Sequence, residues 1–159
     1  CEYGRGTEKQ DGFNDCEKHR KVKGINGECK LFAIGKKKFF ENMCDGDIDS
    51  ALSFLHEDHV SHDMGTGMVM TGLEENRADM EKWTNTLSDM KIEVLNNVES
   101  GNTVVTEMKM SGVNTGDMAM PDGSKVPATG KSVEMRGCQV AEFENGKMTK
   151  NRVKVLIFI

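Results

Sequence analysis

The sequence has 159 residues but only two prolines, and both fall in one stretch, at Pro121 and Pro127. No apolar run approaches the ~20 residues that a membrane-spanning helix needs, and the last segment, Val153 to Ile159, is apolar but far too short. No membrane span is therefore expected. No basic stripe offsets the net charge of −5, so nucleic acid is not an expected partner. None of the five cysteines, at 1, 16, 29, 44 and 138, forms a C-x-x-C pair, which argues against a zinc ribbon or a dithiol redox site. Their odd number argues against a closed disulfide framework, and free thiols suit a reducing compartment. A cytoplasmic chain is the expectation; export, or lipid attachment through Cys1, is the alternative.

Twelve methionines are present, several of them in the strand-like second half at Met108, Met110, Met118, Met120 and Met135. Composition alone reads them as soft core filler before it reads them as the lining of a ligand pocket. The length suits one domain with a real core. Residues 1–30 are poor in large apolar groups, with Tyr3, Phe13, Val22 and Ile25 in no period. Such a segment buries too little to offset its ordering entropy. It reads as a flexible extension, and residues 31–159 as the domain. Cys16, His19 and Cys29 lie in the extension at spacings that match no metal motif.

From Leu31 the pattern is helical. Phe32, Phe39, Phe40 and Met43 form an apolar side, and Gly46 ends the helix. Asp47 or Asp49 then caps a short helix holding Ile48, Ala51, Leu52 and Leu55. That helix is expected to run into His56, His59, His62 and Asp63. A zincin motif needs its histidines four apart, whereas these are three apart. The expectation is histidines facing solvent at a helix end, with His62 and Asp63 turning inward.

Met68 to Met70 suits a short edge strand, and Thr71 to Glu74 reads as a capping box. The helix after it carries an apolar stripe at Leu73, Met80, Trp83, Leu87 and Met90. Next, Val104, Thr106, Met108 and Met110 alternate with polar neighbours. Val133, Met135, Gly137, Gln139, Ala141 and Phe143 share one face of a later strand. Asn145-Gly146 predicts a type I′ hairpin turn into a last strand from Met148. Between these strands lies Asn114 to Lys131, with both prolines and glycines at 116, 123 and 130. Proline donates no ladder hydrogen bond, so this stretch is a loop joining two strands of one sheet. Loops on a rigid sheet commonly carry sites. Helices first and an antiparallel sheet afterwards make the chain α+β.

From about Ile34 to about Val155 the order of these segments resembles the SnoaL-like polyketide cyclase family, in the superfamily named for nuclear transport factor 2. The residues that carry the likeness are Asp58 to Asp63, Gly72 to Glu74, Ser111 to Gly116, Ala128 to Lys131 and Phe143 to Met148. The resemblance implies a cone, with N-terminal helices packed on a strongly curved, mostly antiparallel sheet around an apolar pocket. It also implies a homodimer joined through outer sheet faces, and aldol-type ring closure without a metal or organic cofactor. The family often places a histidine where this chain has Asn114, and asparagine cannot exchange a proton near neutral pH. Glu134 lies near the place of the cyclases' acidic residue, within a residue or two of register.

The candidate catalytic residues are thus His62, Asp63 and Glu134. Candidate substrate contacts are His59, Trp83, Met108, Met110, Asn114, Met135 and Gln139. No metal site is expected. The expected function is a cyclase or isomerase that acts on an apolar, polyketide-like carbonyl compound by acid–base chemistry. The alternative is a non-catalytic module of the same fold that binds a small apolar molecule or only dimerises.

Overall fold

Alternation in the second half of the chain builds most of one sheet, because a strand with one buried face needs an apolar residue at every second position. A computed structural model describes residues 32–119 and 124–158, and for 32–36, 119 and 157–158 the backbone alone. The extension read in residues 1–30 lies outside the described residues, as do Cys1, Cys16, His19 and Cys29.

Helix α1 is Phe32–Cys44 and helix α2 is Ile48–Leu52. Between them Gly46 takes a φ of +76°, which glycine adopts without steric cost. Asp47 caps α2 by accepting the Ser50 amide at 3.1 Å. Strands β1, Leu55–Asp63, and β2, Val69–Thr71, follow. The histidine cluster is therefore strand, not the helix end that its three-residue spacing suggested. Helix α3 is Gly72–Thr86. The remaining strands are β3, Leu87–Ser100; β4, Thr103–Asn114; β5, Met118–Ala119; β6, Lys125–Val126; β7, Ser132–Glu144; and β8, Lys147–Phe158.

Six strands form one sheet in the order β2-β1-β8-β7-β4-β3. All neighbours are antiparallel except β1 and β8, which run parallel. The fold is α+β with the helices on one face of a mostly antiparallel sheet. The turn from β7 to β8 has Asn145 and Gly146 at φ of +50° and +79°, as a type I′ turn requires. On β4 the buried residues are Val104, Thr106, Met108, Met110, Gly112 and Asn114, and on β7 they are Met135, Gly137, Gln139, Ala141 and Phe143. These inward faces pack against Phe39, Phe40, Leu52 and Met80 from the helices. Each such side chain contributes roughly 2 kcal/mol by leaving water.

Two details differ from the sequence reading. The stripe through Leu87 and Met90 does not belong to one helix: α3 stops at Thr86, and both residues lie on β3. The chain changes period there with no proline or glycine to mark it. Glu75, not Glu74, reaches back to the Thr71 amide, at 2.7 Å, and the Thr71 hydroxyl makes no cap bond.

The Asn114–Lys131 stretch joins the adjacent strands β4 and β7, and it carries the short hairpin β5–β6. Its base is closed by the Asn114 amide donating to the Lys131 carbonyl and the Gly130 amide donating to the Asn114 carbonyl, each at 2.9 Å. The amides of Thr115 and Gly116 both donate to the Thr86 carbonyl at 3.1 Å, so the loop also satisfies the end of α3. Among the described residues no helix is long and apolar enough to cross a membrane.

Candidate functional site

Between the helices and the inner face of the sheet lies a cavity of about 370 Å³, within the range of small-molecule sites. Eight methionines line it, among them Met80, Met108, Met110, Met118 and Met148. Met118 comes from the long β4–β7 connection, so that connection borders the cavity.

The polar lining comes first from β1. Strand alternation turns His59, Ser61 and Asp63 toward the cavity and leaves His62 on the opposite face. His59 is 1 % exposed. Its Nδ1 lies 2.9 Å from the Met148 carbonyl, which only a protonated Nδ1 can satisfy by donating. In the neutral ring that tautomer leaves Nε2 with a free lone pair. Burial pulls the His59 pKa below its usual 6.5, and the Met148 carbonyl opposes the shift only in part. His59 is thus held as a neutral imidazole.

Helix α3 supplies Asn76, Asp79, Met80 and Trp83, spaced i, i+3, i+4 and i+7 on one helical face. Asn76 is buried and donates to the Gly72 carbonyl at 2.7 Å, with longer contacts of 3.5 Å to the carbonyls of His59 and Met70. It ties the helix over β1 beside His59. Asp79 is half-buried at the rim. Desolvation pushes its carboxyl above the usual 3.8; Lys82 lowers it and Asp63 raises it by smaller amounts.

Asp63 faces the same rim, but one carboxylate oxygen is occupied. Its Oδ1 accepts the amides of Gly65 at 2.7 Å and Thr66 at 3.2 Å. It therefore shapes the β1–β2 turn. Strands β7 and β8 add Gln139 and Asn151 to the lining.

Of the residues singled out from the sequence, the structure brings His59, Asp63, Trp83, Met108, Met110 and Gln139 to the cavity. Four are not brought there. His62 lies on the other face of β1. Glu134 is on the outer face of β7, with Lys109 Nζ at 3.9 Å. Met135 is buried in a cluster with Leu87, Met90 and Met110. Asn114 is buried, but its amide serves the loop: it donates to the Gly116 carbonyl at 2.8 Å and accepts from Thr129 N and Oγ1 at 2.9 and 3.0 Å.

Sequence reasoning missed Asp79, Asn76, Ser61 and Asn151. Asp79 carried a usable signal, since it stands three residues before Lys82 and four before Trp83, on the face of Met80. Among the described residues no group of three His, Cys, Asp or Glu side chains could hold a metal ion.

The family description "SnoaL-like polyketide cyclase" matches residues 37–154. Among solved structures the chain is similar to TsrD from Streptomyces laurentii, with 21% identity, a TM-score of 0.66, and 77% of this chain and 86% of that one covered. It is similar to a SnoaL-like protein from Jannaschia sp. CCS1, with 16% identity, a TM-score of 0.70, and 82% and 91% covered. It is also similar to an LEH-like epoxide hydrolase of M. tuberculosis, with 16% identity, a TM-score of 0.59, and 77% and 80% covered. At these identities the likeness shows the fold alone. A search of curated proteins finds no match.

Proposed function

The chain belongs to the SnoaL-like polyketide cyclase family, and from that membership we propose that it is an acid–base enzyme. Its substrate in this reading is an apolar, polyketide-like carbonyl compound held in the cone, and the reaction is ring closure or isomerisation. The observation that carries the reading is His59: a buried neutral imidazole on the cavity wall, its Nδ1–H given to the Met148 carbonyl. A general base needs a free lone pair and a fixed ring. The Nδ1 tautomer supplies the first, and the Met148 contact supplies the second.

His59 Nε2 takes a proton from the carbon beside a substrate carbonyl, which leaves an enolate. In ring closure that carbon attacks a second carbonyl of the same molecule. The developing alkoxide takes its proton from Asp79, whose protonated form burial favours. The imidazolium then returns its proton to the Asp79 carboxylate through solvent at the rim. In isomerisation the enolate is reprotonated at another carbon instead. The methionine lining excludes water and lets the substrate's apolar body pack.

One observation favours the second reading, a non-catalytic binding module. The floor position on β7 is Gln139, an amide that can serve as neither general acid nor general base near neutral pH, and the carboxylate of Glu134 lies outside. The test is exchange of the α-protons of 1-tetralone in deuterium oxide, followed by NMR. The enzyme reading expects acceleration by the wild type. It expects a drop of about 10²- to 10⁴-fold in His59→Gln and no change in His62→Gln. A wild type that accelerates nothing is a binding module; full rate in His59→Gln removes the base.

A further inference from the structure

The cavity floor carries a polar seam across an otherwise apolar surface. Asn151 on β8 stands opposite Ser61 on β1, and its Nδ2 donates to Ser61 Oγ at 3.3 Å. One strand over, Gln139 on β7 lies diagonal to Asn151, since Ala141 is the residue opposite Asn151. Gln139 in turn faces Thr106 on β4, whose Oγ1 donates to Asn97 Oδ1 at 2.6 Å. Gln139 is 3 % exposed and Asn151 is 9 % exposed. Among the described residues, Gln139 Oε1 and Asn151 Oδ1 have no hydrogen-bond partner. Both residues line the cavity.

Two orphaned amide oxygens at one place need an account, because a buried acceptor without a donor costs ~1–3 kcal/mol. Plain core positions would carry apolar side chains, as Met108, Met110 and Met148 do elsewhere in the lining. We propose that Gln139 and Asn151 form a hydroxyl-reading subsite, so that the molecule taken into the cone is an apolar ring compound bearing hydroxyl or enol groups. Those O–H groups donate to Oε1 and Oδ1 while the ring packs on the methionines. The inference rests on the cavity being the ligand site of the proposed function and names the ligand's class.

The donor is neutral. The acidic residues of the lining, Asp63 and Asp79, stand at the part-exposed rim, and the floor offers amides and hydroxyls only. A cation there would be buried without a counter-charge, which is far costlier than burying a hydroxyl. Selectivity follows from the same geometry: a site built to pair a hydroxyl rejects the analogue that lacks one.

The test compares naphthalene with 1,3- and 2,7-dihydroxynaphthalene, which offer two hydroxyl spacings, by titration calorimetry on the full chain. At least one diol is expected to bind about 10- to 100-fold more tightly than naphthalene. In Gln139→Met and Asn151→Leu that preference falls to within about threefold, with naphthalene held as well as before or better. Unliganded Gln139→Met is also expected to melt no lower than wild type, because it removes an unpaired buried group. Equal binding of diol and naphthalene by the wild type, no diol binding, or tighter binding of naphthylmethylammonium overturns the subsite. So does a diol preference that survives both substitutions. The wild-type comparison decides even where a variant does not fold. Exchange of tetralone without diol preference sinks the subsite alone, and diol preference without exchange sinks the reaction alone.

Discussion

Replacing Asn114 with alanine separates a loop-holding amide from a substrate-orienting one. In wild type the side chain makes three short hydrogen bonds, from Thr129 N at 2.9 Å, from Thr129 Oγ1 at 3.0 Å and to the Gly116 carbonyl at 2.8 Å. A net value of about 1 kcal/mol each gives about 3 kcal/mol. Thr129 is exposed, so water takes over much of its share, and a loss of about 2 kcal/mol is expected. Urea unfolding reads this as a lower midpoint at an unchanged slope. Asn114→Asp keeps both acceptor bonds but turns an oxygen toward the Gly116 carbonyl, so it is expected to lose stability too. Where folded, both variants are expected to keep the tetralone exchange rate of wild type. Stability within about 0.5 kcal/mol of wild type together with lost exchange would refute the reasoning and return Asn114 to the substrate.

Gly116→Ala is expected to lower the melting temperature, because the new Cβ would overlap the backbone carbonyl oxygen of Asn85; overpacking of that kind costs about 1–3 kcal/mol or more. Asp79→Asn is expected to raise stability at pH 7. The folded Asp79 pKa is raised above 3.8, so its favourable contribution is present below that pH and is lost as pH rises through the folded value. Urea midpoints of the two proteins should therefore converge, or cross, in acid. His59 has the opposite sign. Its folded pKa is depressed below 6.5, so its contribution is full above 6.5 and declines as pH falls from there through the folded value. His59→Gln should flatten that part of the stability profile.

The strands after Thr103 were legible because their inward residues are apolar and their turns carry glycine. Gly137 and Gln139 interrupt the apolar face of β7 without breaking its period. Strand β1 was not legible for the opposite reason. Its inward residues, His59, Ser61 and Asp63, face a cavity and a turn rather than packed core. Polar groups therefore occupy positions where an apolar alternation would have shown the strand. The three-residue spacing of His56, His59 and His62 then suggested a helix.

The α3–β3 junction was hidden by coincidence. Leu87 and Met90 continue the helical spacing of Met80 and Trp83, yet they are buried as strand residues, and Asp89 between them takes a φ of +50°. The outward position of Glu134 follows from the β7 alternation once Met135 is known to be buried. The amide roles of Asn114 and Asn76 depend on partners far along the chain or on backbone carbonyls, which no local pattern records.

The most direct measurement is the nitrogen NMR spectrum of the His59 imidazole at neutral pH, without ligand and with 1-tetralone. The account predicts a neutral ring with its proton on Nδ1, and an Nε2 resonance that moves when the ketone is added. A proton on Nε2, a charged ring at pH 7, or an Nε2 signal indifferent to the ketone would contradict it.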